Sequence, residues 1–108
     1  MSYKFRKSQA FNQQLDSWDV GNVNDMSHMF RETPAFNQQL NSWKVCQVGD
    51  MTAMFYKAST FDQPLDSWNV DQVKEMSWIF CKSQAFNQQL DSLDVGQVGD
   101  MGSIFSNA

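Results

Sequence analysis

The sequence predicts an α/β fold, a solenoid in which every coil carries one short parallel strand and one short helix. Two observations predict it. The first is repetition: FNQQLDSWDVGNVNDMSHMF at Phe11–Phe30 returns as FNQQLNSWKVCQVGDMTAMF at Phe36–Phe55, FDQPLDSWNVDQVKEMSWIF at Phe61–Phe80 and FNQQLDSLDVGQVGDMGSIF at Phe86–Phe105, a 25-residue period without insertion. A fixed period of this length marks an array whose units cannot each bury an apolar face alone. The second is a change of spacing inside each copy. Trp18 and Val20 alternate with Ser17 and Asp19, as in a strand. Val23, Met26, Met29 and Phe30 then follow at spacings of three, three and one, the stripe of a short helix.

Taken in order, the chain forms one domain over residues 1–108: a partial coil at 1–10, then coils at 11–35, 36–60, 61–85 and 86–108. The spacing predicts helices near 25–32, 50–57, 75–82 and 100–106, with a fragment at 1–7. Charge agrees. Asp25, Asp50, Glu75 and Asp100 precede the first Met of each stripe, and Arg6, Lys7, Arg31, Lys57 and Lys82 follow the Phe. Acids at a helix start and bases at its end complement the macrodipole by about 0.3–1 kcal/mol each. Pro34 and Pro64 fall outside these segments, where a missing N–H does no harm. Trp18, Trp43 and Trp68 are expected to pile up inside, as are Phe11, Phe36, Phe61 and Phe86. About eight large apolar side chains per copy, each contributing about 1.5–3 kcal/mol before entropy, make stacked copies stable where one is not.

Composition excludes several classes. A formal charge of −4 lacks the basic surface of a nucleic-acid binder. No apolar run reaches the roughly 18 residues of a membrane span. The amino end, MSYKFRKSQAFNQQ, has no apolar leader core, so the chain as encoded reads as cytoplasmic. Cys46 and Cys81 fall at different phases of the repeat and read as two free thiols. His28 is the single histidine, and no C-x-x-C, H-E-x-x-H, P-loop or G-x-G-x-x-G occurs. No enzyme, cofactor or metal site is expected. An acidic stripe at Asp16, Asn41, Asp66 and Asp91 lacks the looped D-x-D-x-D-G set that calcium requires. The Asn12, Asn37, Asp62, Asn87 and Gln13, Gln38, Gln63, Gln88 columns read as stacked amides that satisfy backbone groups.

The motif F-N-Q-x-L-x-x-W-x-V-x-x-V-x-x-M-x-x-M-F, which covers nearly the whole chain, resembles the 25-residue Met-Phe variety of the BspA-like leucine-rich-repeat surface proteins, including the mycoplasma lipoprotein-associated type. The resemblance implies a right-handed, leucine-rich-repeat-like solenoid with Leu15, Trp18 and Val20 in the strand positions. It also implies adhesion or protein binding in place of catalysis, and related longer proteins are often at the cell surface. The asparagine ladder of ordinary leucine-rich repeats would fall at Val23, Val48, Val73 and Val98, so here the turn after the strand must be satisfied in another way.

Three candidate surfaces follow. The outward strand face offers Asp19, Lys44, Asn69, Asp71 and Asp94, whose variability suits recognition and equally suits solvent-facing drift. The helix face offers Tyr56 and Trp78 as aromatic anchors. The open ends offer Phe5 and Phe11 on one side and Met101, Ile104 and Phe105 on the other, with no dedicated cap. The expected function is a non-catalytic protein–protein interaction module with an unknown protein partner, self-associating through its ends as a closed homodimer. The alternative is a structural fragment of a longer surface-adhesin array with no ligand of its own. Carbohydrate or ion binding ranks third.

Overall fold

Every second amide of the Met-Phe segment donates to the next copy. In the computed structural model of the chain, whose described residues are 2–88, the amides of Met26, His28, Phe30 and Glu32 reach the carbonyls of Asp50, Thr52, Met54 and Tyr56 at 2.7–2.9 Å. Met51, Ala53, Phe55 and Lys57 repeat this toward Glu75, Ser77, Ile79 and Cys81 at 2.8–3.0 Å. Tyr3, Phe5 and Lys7 do the same toward Ser27, Met29 and Arg31. The intervening amides stay local, Met29 donating to Met26 and Arg31 to His28.

This pattern overturns the expected α/β solenoid of one strand and one helix per coil. No helix occurs among the described residues, and pairing is reduced to two isolated parallel bridges, Asp25 with Asp50 and Asp50 with Glu75. The segments expected as helices at 25–32, 50–57 and 75–82, and residues 2–7 of the expected fragment, are successions of tight turns; the segment at 100–106 lies outside the described residues. Left-handed residues recur in them: His28 and Glu32, Ala53 and Lys57, Trp78 and Lys82, and Tyr3 and Lys7 all have φ between 53° and 65°. An α-helix needs φ near −63° at every residue, so a positive φ every fourth position excludes it. A hydrogen-bonded turn with a left-handed third residue, as at 26–29 and 55–58, is type II-like. Successive turns return side chains to one side every three or four residues, which is why the spacing mimics a helix. In-register copies on either side supply acceptors that a lone segment would have to find within itself.

The flanking charges change meaning accordingly. Asp25 and Asp50 accept the amides of Ser27 and Thr52 on their side chains at 2.9 Å, closing local turns and not capping a macrodipole. The segments expected as strands, beginning at Leu15, Leu40 and Leu65, are likewise turned: Trp18 donates to Leu15, Trp43 to Leu40 and Trp68 to Leu65. Their side chains still sort by side. Leu15 and Val20 are buried, while Ser17 and Asp19 are exposed.

The core is built on two ring columns. Phe5, Phe30, Phe55 and Phe80 stack at 5.5–5.7 Å. Phe11, Phe36, Phe61 and Phe86 stack beside them at 5.6–6.1 Å. Within each copy the two columns meet at 4.1–4.3 Å. Trp43 and Trp68 are buried, and each indole Nε1 donates at 2.8 Å to a leucine carbonyl of the preceding copy, Leu15 and Leu40. Trp18, packed on Phe5, is half-buried. The carboxamide or carboxylate of Asn12, Asn37 and Asp62 accepts the amide one copy on, from Asn37, Asp62 and Asn87, each at 2.9 Å. Gln38, Gln63 and Gln88 brace the same oxygens. An amide ladder therefore exists, at this column and not at the valines. The radius of gyration, 12.3 Å, is that of a compact body; about 13 Å is expected for this length.

Candidate ligand-binding face

The residues that hold the left-handed corner of the Met-Phe segment form one outward column: Tyr3, His28, Ala53 and Trp78. Their backbone is fixed by the inter-copy amides, so equivalent side chains lie one above another. Tyr3 and His28 stack with ring centroids 4.5 Å apart and planes 3° from parallel. Ala53 interrupts the column, and Trp78, 46% exposed, resumes it. The interruption leaves a hollow of about 330 Å³ lined by His28, Arg31, Thr52, Ala53, Tyr56 and Trp78. Ala53 is buried at its floor.

Cations gather around the Tyr56 ring, and one of them, Arg31, lines the hollow. The Arg31 guanidinium lies 4.7 Å from the centre of the Tyr56 ring, with the ammonium groups of Lys57 and Lys82 at 5.5 and 6.0 Å. Such contacts are each worth about 0.5–1 kcal/mol when exposed. Tyr56 meets Trp78 edge-on at 6.4 Å. Glu32 is the acid in contact, 3.9 Å from Arg31 Nε and 4.0 Å from Lys57 Nζ. Arg31 Nη1 and His28 Nδ1 are 3.2 Å apart, whereas Arg31 Nε is shielded from solvent with no hydrogen-bond partner. Burial of the His28 ring, and then the nearby charges of Arg31 and Arg6, lower its pKa from the ordinary 6.5; Asp50 and Asp25 oppose them.

The predicted site residues distribute unevenly. Tyr56 and Trp78 do meet, but on a face of turns, not of a helix. Asp19, Lys44, Asn69 and Asp71 are exposed, on turns and connecting segments and not on strands. Asp19 and Asn69 spend their side-chain oxygens on the local amides of Gly21 and Asp71, at 3.1 and 3.0 Å. Another hollow, of about 490 Å³, is bordered by Asn24, Cys46, Gln47, Gly49, Gln72 and Lys74. Phe5 and Phe11 are half-buried and stacked on each other. Asp94, Met101, Ile104 and Phe105 lie outside the described residues. Sequence reasoning missed Arg31, Lys57, Lys82 and Ala53 as a group. The basic column after the Phe was the available signal, and reading it as a helix terminus concealed it.

Cys46 is exposed and Cys81 buried, both as free thiols. Among the described residues no three His, Cys, Asp or Glu side chains converge as a metal set, and no helix is long and apolar enough to cross a membrane.

A family model described as Mycoplasma protein of unknown function, DUF285, matches residues 1–108. No curated protein and no solved structure matches the chain.

Proposed function

The chain belongs to the DUF285 family of Mycoplasma proteins of unknown function, and from that premise we propose that it is a non-catalytic protein–protein interaction module. The observation that carries this reading is the aromatic and cationic face of Tyr56, Trp78, Arg31, Lys57 and Lys82. Aromatic residues and arginine are the types that dominate binding energy at protein interfaces. The likeness of the Met-Phe repeat to BspA-like surface proteins, which implies adhesion or protein binding, supports the same role.

The test is a photo-crosslinking comparison. A benzophenone side chain placed at Lys82 should capture a discrete partner from cell extract. Tyr56→Ala and Trp78→Ala in the same background should abolish that product. A product unchanged by both substitutions would sink the reading for this face.

Self-association through the less covered first copy is part of the proposal. Its support is the first copy, where Phe5, Phe11 and Trp18 are half-buried although the equivalent Phe30, Phe36 and Trp43 are buried. Light scattering at micromolar concentration should give twice the chain mass, and Phe11→Lys should restore the monomer. A monomeric mass for the unaltered chain would remove this part.

A further inference from the structure

We propose that the break in the ring column at Ala53 is a receptor slot for one planar aromatic ring with a carboxylate beside it. The occupant is the aromatic side chain of a partner protein, with an acidic group close to the ring. This rests on the interaction reading above and names the chemistry that the face would recognise.

The geometry is that of a missing rung. Tyr3 and His28 already stack face to face at 4.5 Å. His28 and Trp78 are separated by one whole copy, and adjacent copies place equivalent phenylalanine rings 5.5–5.6 Å apart. A third ring entering between them sits within stacking range of both walls, since aromatic pairs favour centroid separations of about 4.5–7 Å. Ala53 supplies the floor, because its methyl group is the only side chain at that level of the column. The corner backbone does not force a small residue. Tyr3 and Trp78 hold the same conformation, φ 62° and 65°, against 53° for Ala53. The gap is therefore a matter of side-chain size alone.

Charge decides what the ring bears. Around Tyr56, which lines the hollow, Arg31, Lys57 and Lys82 outnumber Glu32. Asp50, at the base of the same segment, is engaged with the Thr52 amide. Arg31 lines the hollow, with its guanidinium 4.7 Å from the centre of the Tyr56 ring. A carboxylate beside the entering ring pairs with that guanidinium. A cationic substituent meets repulsion.

Indole-3-propionate is the probe. The single His28 gives isolated ring-proton signals, and titration should shift them upfield, saturably, with a Kd of about 1 mM or tighter for a ligand this small. Tryptamine should bind at least tenfold more weakly. Ala53→Phe fills the slot and should abolish the shift with the thermal midpoint retained. Should that variant not fold, Arg31→Met serves, and should erase the preference for indole-3-propionate over tryptamine. Absence of a saturable shift in the unaltered chain, equal binding of the two probes, or full binding by folded Ala53→Phe would each overturn the proposal. Probe binding as expected, with no crosslinked protein, would sink the interaction reading and leave the slot standing.

Discussion

The indole Nε1 of Trp43 donates to the carbonyl oxygen of Leu15, 2.8 Å away and 28 residues earlier in the chain. The bond is buried and ties one copy to the one before it at a carbonyl whose backbone partner, the Trp18 amide, is local. Trp43→Phe keeps the ring packing and leaves the Leu15 carbonyl with the Trp18 amide as its one remaining donor. It should lower unfolding free energy by about 0.5–1.5 kcal/mol, the net value of one hydrogen bond. Trp18→Phe, at a half-buried position with no such bond among those described, should cost less than half as much. Urea unfolding followed by far-UV circular dichroism would decide between them. Equal losses would mean that packing, not the bond, matters.

Asn37 Oδ1 accepts both the Asp62 amide and Gln63 Nε2. Asn37→Ala strands the Asp62 amide, while Gln63 Nε2 keeps the Asn37 backbone carbonyl, and it should cost about 1 kcal/mol. Asn37→Asp retains the acceptor, as Asp62 does one copy on, where it serves Asn87 and Gln88. It should lose under about 0.5 kcal/mol at neutral pH. A similar penalty for the two variants would show that the ladder contributes little.

Lys7 is exposed and left-handed, with φ 62°. A left-handed non-glycine residue costs about 1–2 kcal/mol, and glycine removes that cost against a gain of about 0.5–1 kcal/mol in unfolded-chain freedom. Lys7→Gly should raise the thermal midpoint slightly, whereas Lys7→Val, branched at Cβ, should lower it. The opposite order in calorimetry would refute left-handed strain at this corner.

Gly49 does not use a positive φ, and a methyl group there would meet only the Gln72 and Asn24 carbonyl oxygens at 3.8 and 3.9 Å. Asn24 and Lys74 occupy the equivalent positions of the flanking copies. Gly49→Ala should therefore stabilise by about 0.4–1 kcal/mol through the unfolded chain. A destabilised variant in equilibrium unfolding would reveal a clash not visible at these distances.

His28 has a folded-state pKa below its ordinary 6.5, chiefly through burial and then through Arg31 and Arg6. The unfolded chain thus binds the proton more readily. The contribution of His28 is fully present above pH 6.5 and is lost as pH falls below it, toward the folded pKa. The urea midpoint should decline from pH 7.5 to 5.5, and His28→Asn, which tolerates the left-handed backbone, should decline less. Parallel curves for the two proteins would assign the slope to other groups.

The pattern of apolar columns was legible from residues alone. The three-and-four spacing of Met26, Met29 and Phe30 and the alternation of Trp18 with Ser17 determined which side chains turn inward, because inward direction depends on period. The column of Asn12, Asn37 and Asp62 was legible for the same reason: identical polar groups at one phase have each other as partners. Secondary structure was not legible, since a succession of turns and a helix share that period. The candidate face was half legible. Trp78 and Tyr56 stood out by size, but Ala53 signals a slot only once rings are known to stand above and below it.

By itself the sequence determined that equivalent residues meet, since a strict 25-residue period admits one in-register arrangement of copies. Only the tertiary structure decided how their backbones are satisfied. At 25–32 the alternate amides could close within the segment or reach across to the next copy. The second choice prevails because a matching carbonyl lies 2.7–2.9 Å away in register, and it exacts left-handed corners at His28 and Glu32 in return.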